Sequence, residues 1–438
     1  MSENKNKLQN GLSAIDGWAV GTGAMIGVTI FVVSGTISGM AGPASMLGFI
    51  IAGVLVLFVA LCYCEIASAY PGSGGAYLYP KKVFSGEKGK FLSFISGWCL
   101  WGGQGIGPVA VIITTIGYIA SLIKLITGLN IVLNTLLCGT VLILFYLVSN
   151  WFGSTGGKAL QLISTLLVVG ILVLFIVWGG MHVDPQLLKP FAPNGFDPIL
   201  TCAGLCILSF SGWSTIPNMA EEFRNPTRDV PRAAILSIMT CIIVFSIFVY
   251  IMNGLLPGVE LAASQSPPVA AMNTFTTVGA LIIAIGGICA CVSTSNGLLM
   301  TGSRIPFAMG RDGDLPKIFK TVNRHGVPAM ALIATALGQW LFVMSGSLLN
   351  TLVSLSVCAT SVSWLITIIC SVANRKQNKK APFRAPGYPV TPVIALIGLI
   401  VMASRLQITA IIMTVIWVVI GCVLYYLFHF TGLKKLCE

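Results

Sequence analysis

Two short stretches of this 438-residue chain offer backbone groups, not side chains, as the means of recognition. The first is Gly21-Thr22-Gly23-Ala24-Met25-Ile26-Gly27-Val28-Thr29. The second is Ser209-Phe210-Ser211-Gly212-Trp213-Ser214-Thr215-Ile216-Pro217. Each sets glycine, hydroxyl residues or proline in the middle of an apolar run, where a helix readily breaks. A break exposes the N–H groups that open one half-helix and the carbonyls that end the other. N–H groups bind a carboxylate and carbonyls bind an ammonium, so a broken pair suits an amino acid without any charged side chain. The donors are expected from Gly27, Val28 and Thr29. The acceptors are expected from Met25 in the first stretch and Leu208 or Ser211 in the second. Gly212 and Trp213 sit in the same turn, and glycine lets a ligand approach the backbone. A bulky residue at Gly27 or Gly212 is expected to block binding and leave the bundle folded.

Side chains add few candidates. Gln104 serves either as a substrate contact or as a hydrogen bond between helices. Ser293-Thr294-Ser295 could join backbone carbonyls of the first stretch around Na⁺, or simply pack in a helix; Ser293 and Thr294 are the candidate ligands. Asp16, Glu65, Glu221 and Glu222 fall near the ends of apolar runs and read as solvated helix-end charges. No acid lies at mid-membrane depth, which favours a neutral substrate over a cationic one. The 13 cysteines lie almost all inside apolar runs, and Cys62/Cys64 and Cys289/Cys291 are spaced CxC, so they read as small buried hydrophobes. No cofactor is implied, and no histidine or carboxylate cluster suggests an enzyme.

The elements that must hold these residues follow from composition. Apolar residues make up 56% of the chain and charged residues 9%, against about 25% charged in a soluble domain. With a mean hydropathy of +0.92, the solvent this chain tolerates is lipid. The chain therefore reads as an all-α membrane protein of about twelve spans. They are expected at about 13–39, 42–69, 91–122, 128–149, 157–180, 198–223, 231–254, 273–307, 327–345, 348–373, 388–404 and 407–431. With both termini in the cytoplasm, all of the 25 basic residues except Lys124, Lys189 and Arg405 fall at the cytoplasmic face. The net charge of +12 is thus a matter of topology in a cell membrane, and nucleic acid is not an expected partner. The polar N-terminus carries no signal-peptide pattern. The breaks fall in spans one and six, the arrangement of two inverted five-span repeats, about 13–180 and 198–373, within a single transporter domain. Two extra helices follow, at about 388–431.

Four motifs resemble the amino acid–polyamine–organocation superfamily. They are the glycine-rich break Gly23–Phe31; the run from Glu65 to Tyr79 through Pro71-Gly72-Ser73-Gly74-Gly75, with Gly97-Trp98; Gly212-Trp213 with Glu221-Glu222, Asn225-Pro226 and Val230-Pro231-Arg232-Ala233; and Ser303-Arg304 with Asp312-Gly313-Asp314-Leu315-Pro316 and Pro328. They occur in family order over most of the chain. Phe210-Ser211-Gly212-Trp213 is most similar to the L-type exchangers and the bacterial serine/threonine exchanger. The resemblance implies a LeuT-like fold working by alternating access. It also shows departures. The first break reads Gly27-Val28-Thr29 where the family usually has Gly-Ser-Gly. Val168 and Ser214 stand where some members carry a lysine and a glutamate. Leu208 and Leu298 replace an aromatic lid and a tryptophan. The expected function is therefore symport or exchange of small, neutral amino acids, with a proton or sodium ion as the possible coupling partner. The alternative within the fold is an amine, polyamine or cationic amino acid carrier. A channel is disfavoured because it needs a continuous polar lining.

Overall fold

The computed structural model describes residues 11–26, 29–72, 74–129, 131–152, 154–264, 266–344, 349–377, 379–404 and 408–430. The described chain is helical, and its only β-type pairing is an isolated bridge between Leu12 and Phe223. In chain order the α-helices are α1 (Ala14–Met25), α2 (Ser34–Ala41), α3 (Ser45–Ala69), α4 (Leu78–Val83), α5 (Gly86–Leu100), α6 (Val109–Thr127) and α7 (Thr135–Trp151). Next come α8 (Ser154–Gly180), α9 (Asp197–Cys206), α10 (Thr215–Asn218), α11 (Pro226–Leu255), α12 (Gly258–Ala263) and α13 (Pro267–Asn273). The last are α14 (Thr277–Gly302), α15 (Arg304–Arg311), α16 (Ala329–Met344), α17 (Leu349–Lys376), α18 (Val390–Ser404) and α19 (Ile408–Phe430).

A helix lies over every expected span. Seven helical stretches among the described residues are long and apolar enough to cross a membrane, and four shorter apolar helices accompany them. The apolar surface confirms the solvent. On α19, Ile412, Ile416, Val419 and Val423 recur at spacings of four, three and four residues and are each about half exposed. A helix face of that kind would not survive in water.

The interior is built by close approach at small residues. The long α11 packs along α3, with Ile242 resting on Gly53 and the rings of Phe49 and Phe245 5.5 Å apart. On α14, Gly287 gives room to the ring of Tyr118 from α6. Tyr118 in turn donates to the carbonyl of Phe31, 2.9 Å away, and so ties α6 to the segment that follows α1. Such contacts replace the hydrophobic drive that helices lose in lipid.

The α-helix is interrupted where the sequence suggests. Ser13 and Asp16 form a capping box that starts α1, and the helix stops at Met25. Ile26 leaves helical geometry with φ −78° and ψ 78°, and Thr29–Val33 resumes as a wide π turn before α2. In the sixth span, α9 ends at Cys206 and gives way to a 3-10 helix over Ile207–Ser214, followed by the single turn of α10.

Candidate substrate site at the paired breaks

The two interruptions meet. A Cβ on Gly212 would come within 2.5 Å of the backbone carbon of Ala24 and 2.7 Å of the nitrogen of Met25. Gly212 is therefore the place where the backbones of the two broken spans touch. This corrects the expectation that a bulky residue at Gly212 would spare the fold: the space beside it holds α1, not a ligand. Met25 is buried in the last turn of α1. Gly27 and Val28 lie outside the described residues, as do the side chains of Thr29 and Leu208.

Hydroxyl groups meet the carbonyls that the breaks set free. Thr294 Oγ1 on α14 lies 2.7 Å from the carbonyl oxygen of Gly23 and 3.1 Å from that of Ile26. One hydroxyl proton serves one acceptor at a time, so three neutral oxygens converge at the end of α1. That donor set is the kind a hard cation accepts. Ser293 is buried beside Thr294. In the 3-10 segment, Ser214 donates to the carbonyl of Ser211 at 2.8 Å, and Thr215 to that of Gly212 at 2.7 Å.

Gln104 reaches the same place from the third span. It sits in a π turn, Trp101–Ile106, between α5 and α6. The glycines around it allow this wide turn to pack: a Cβ on Gly103 or Gly105 would overlap Thr360 or Trp101. Ser356 and Gln339 donate to the carbonyls of Gly103 and Gly105, at 2.5 and 2.7 Å. The Gln104 amide donates to Ser214 Oγ and accepts from Asn218 Nδ2 at 2.8 Å. Of the two roles open to Gln104, the structure realises the bond between helices. It runs to both ends of the turn that closes the sixth-span break.

Trp213 is fully buried at the centre of an aromatic group. Its ring meets Tyr63 edge-on at 5.0 Å and lies tilted against Trp364 at 5.6 Å. Tyr63 is fixed by accepting the N–H of Ala76 at 2.8 Å. Sequence reasoning did not single out Tyr63, Trp364 or Asn218. Asn218 alone had a local signal, as a polar residue directly after the Trp213–Pro217 run.

Among the described residues, several buried polar atoms at the breaks have no protein partner. They are Thr22 Oγ1, Ser209 Oγ, Trp213 Nε1 and Asn218 Oδ1. Buried polar groups are normally paired, so each of these atoms keeps capacity for a further hydrogen bond. No Asp, Glu, Lys, Arg or His occurs in 17–64, 91–123, 198–220 or 277–303, the segments that surround them.

The charged candidates lie at the helix ends, and two are not solvated. Glu65 is 2% exposed and pairs with Arg375 while accepting the N–H of Ala385. Glu222 is equally buried and pairs with Arg304 at 2.6 Å. Both read wrongly as free helix-end charges because their partners are distant in sequence. Glu221 pairs with Arg311 at 2.8 Å, and Asp16 belongs to the α1 capping box.

With this geometry in hand, comparison with known proteins is direct. The profile of the family described as Amino acid permease matches residues 12–431. The branched-chain amino acid permease BcaP of Bacillus subtilis is 29% identical, over 97% of this chain and 94% of its own. The methylthioribose transporter of the same organism is 28% identical, over 98% and 95%. Cationic amino acid transporter 9, chloroplastic, of Arabidopsis thaliana is 30% identical, over 74% of this chain and 59% of its own. These relatives are named for transport, not for catalysis, and the helical, lipid-suited architecture agrees with them. The chain is a multi-pass membrane protein that belongs to the amino acid permease family.

Proposed function

We propose that this permease carries small, neutral amino acids by alternating access, with the substrate held between the broken first and sixth spans. The observation that carries this reading is a set of unpaired polar atoms on the two broken spans, within segments that hold no Asp, Glu, Lys, Arg or His. Backbone dipoles are then the means of recognising the head group. The N–H groups after Gly27 face the carboxylate, and the carbonyls of Met25 and Ser211 face the ammonium. A cationic side chain would find no acid beside it, which supports a neutral substrate. The relatives are named as both branched-chain and cationic amino acid transporters, so charge is the property to test.

The two breaks also support an inverted pair of five-span repeats, and the distribution of basic residues supports cytoplasmic termini in a cell membrane. Neither Val168 nor Ser214 takes up or releases a proton near physiological pH, which supports exchange without proton coupling through those positions. The carbonyls of Gly23 and Ile26 with Thr294 offer oxygen ligands to Na⁺ as the remaining coupling ion.

The test is a thermal-shift and binding screen of the purified protein against leucine, valine, alanine and serine beside lysine, arginine and putrescine. Stabilisation by the neutral set, lost in analogues without the carboxylate or without the amine, is the expected result. Stabilisation by lysine, arginine or putrescine alone would overturn the neutral reading.

A further inference from the structure

Away from the breaks, the bundle holds a cavity of about 930 Å³. It lies where the C-terminal half of α6, residues 131–135 and the α12–α13 segment come together. On α6 it is lined by Thr114, Gly117, Ser121 and Lys124, spaced three, four and three residues apart along one face. Ten residues of helix make the groove about 15 Å deep, half the thickness of a bilayer core.

Its chemistry runs from charged to apolar. Among the described residues, Lys124 is the only ionisable one that lines it, and no carboxylate does. No ion pair forms on Lys124 among the described residues. Below the lysine, Ser266 donates to Ser121 at 3.0 Å. Deeper still, a Cβ on Gly117 would meet nothing within 4 Å, so the groove is open there. The rim is apolar and exposed: Val132 is 97% exposed and Ile131 42%. A rim of that kind faces lipid.

We infer that this groove between α6, residues 131–135 and α12–α13 holds an anionic phospholipid, with its phosphate at Lys124 and one acyl chain in the open space over Gly117. Charge complementarity selects the ligand, since an unpaired cation with no opposing acid attracts anionic head groups. The serine pair below it suits the glycerol ester oxygens, and the apolar walls suit the chain. At the floor, the hydroxyl of Thr114 is buried without a partner. An acyl chain gains nothing from that hydroxyl, whereas a small hydrated anion would use it. The residue therefore distinguishes the two occupants.

The experiment is native mass spectrometry of the full chain released from nanodiscs of phosphatidylcholine with and without phosphatidylglycerol. Wild type is expected to retain phosphatidylglycerol in preference to phosphatidylcholine. Lys124→Gln should reduce that retention about fivefold, the factor for the roughly 1 kcal/mol that one lysine contributes near anionic lipid. Gly117→Phe fills the chain path and should abolish retention at unchanged melting temperature. Thr114→Val makes the floor apolar and should keep or raise it. Equal retention of both lipids by wild type would overturn the inference, as would wild-type retention by Lys124→Gln and Gly117→Phe. Displacement of phosphatidylglycerol by inorganic phosphate, with weakened phosphate binding in Thr114→Val, would assign the groove to a free anion instead.

Discussion

At the scale of single residues, two glycines separate packing from open space. Gly212 touches the backbone of α1, so even Gly212→Ala forces the two broken spans apart. Overpacking of this kind costs about 1–3 kcal/mol, and the melting temperature should fall together with substrate affinity. Gly117 is also helical but has nothing near its Cβ position. Gly117→Ala should therefore gain about 0.5–1 kcal/mol from helix propensity and raise the melting temperature. Differential scanning fluorimetry of the pair reads both signs. Gln104 is the third residue that decides something. Replacing it with leucine removes the partner of Ser214 and of Asn218 in a fully buried place. The cost is about 1–3 kcal/mol, and amino acid binding should weaken because the turn over Ser211–Asn218 loses its brace. Unchanged binding in folded Gln104→Leu would show that the turn holds its shape without it.

At the scale of elements, α1 is held at its start by a strap of main chain. The N–H groups of Gly11 and Leu12 donate to the carbonyl of Glu222, at 2.9 and 2.8 Å, and Leu12 accepts from the N–H of Arg224 at 2.9 Å. The Glu222 side chain is locked in turn by Arg304 from α15. One buried ion pair thus sets the position of the segment that holds both α1 and the loop after α10. Arg304→Ala strands the buried carboxylate, which costs about 3–5 kcal/mol. Hydrogen exchange at the amides of Leu12 and Arg224 should accelerate in that variant. Replacing both partners together, as Glu222→Leu with Arg304→Met, should recover most of the stability, because no lone charge remains. If the double variant is as unstable as the single one, the pair contributes more than mutual neutralisation.

At the scale of the whole molecule, chain segments far apart in sequence close one end of the bundle around Asp314. Lys81 from α4 lies 2.6 Å from its carboxylate, the Tyr77 hydroxyl donates at 2.7 Å, and His429 at the end of α19 approaches at 3.2 Å. Burial pushes the Asp314 carboxyl up, but hydrogen bonding from His429 and Tyr77 and the charge and hydrogen bond of Lys81 outweigh it, and the net shift is below the ordinary value of 3.8. A depressed folded value means that the unfolded chain takes up the proton first as pH falls. The contribution of Asp314 is therefore complete above about pH 4 and is lost as pH falls through the lowered value. Melting temperature followed from pH 7 down to pH 3 should show an acid limb that flattens in Asp314→Asn. An identical limb in the variant would place the acid sensitivity in another carboxylate.

Sequence determined what depends on local composition. Charge-poor apolar runs define the helices, because in lipid a helix satisfies every backbone group within its own run. Glycine, hydroxyl and proline residues mark the breaks after Met25 and over Ile207–Ser214, because helix propensity is a local property. The paucity of charge around those breaks was equally legible. Tertiary structure decided which groups meet. Glu65 and Arg375 are 310 residues apart, and Gln104 and Asn218 are 114 apart. A spacing rule sees only neighbours within a turn or two, so these acids looked solvated and Asn218 went unnoticed. The same holds for Gly212. Its sequence says only that no side chain is there, and the packing of the two broken helices says what occupies the space: the backbone of α1, brought there by the closure of the whole bundle.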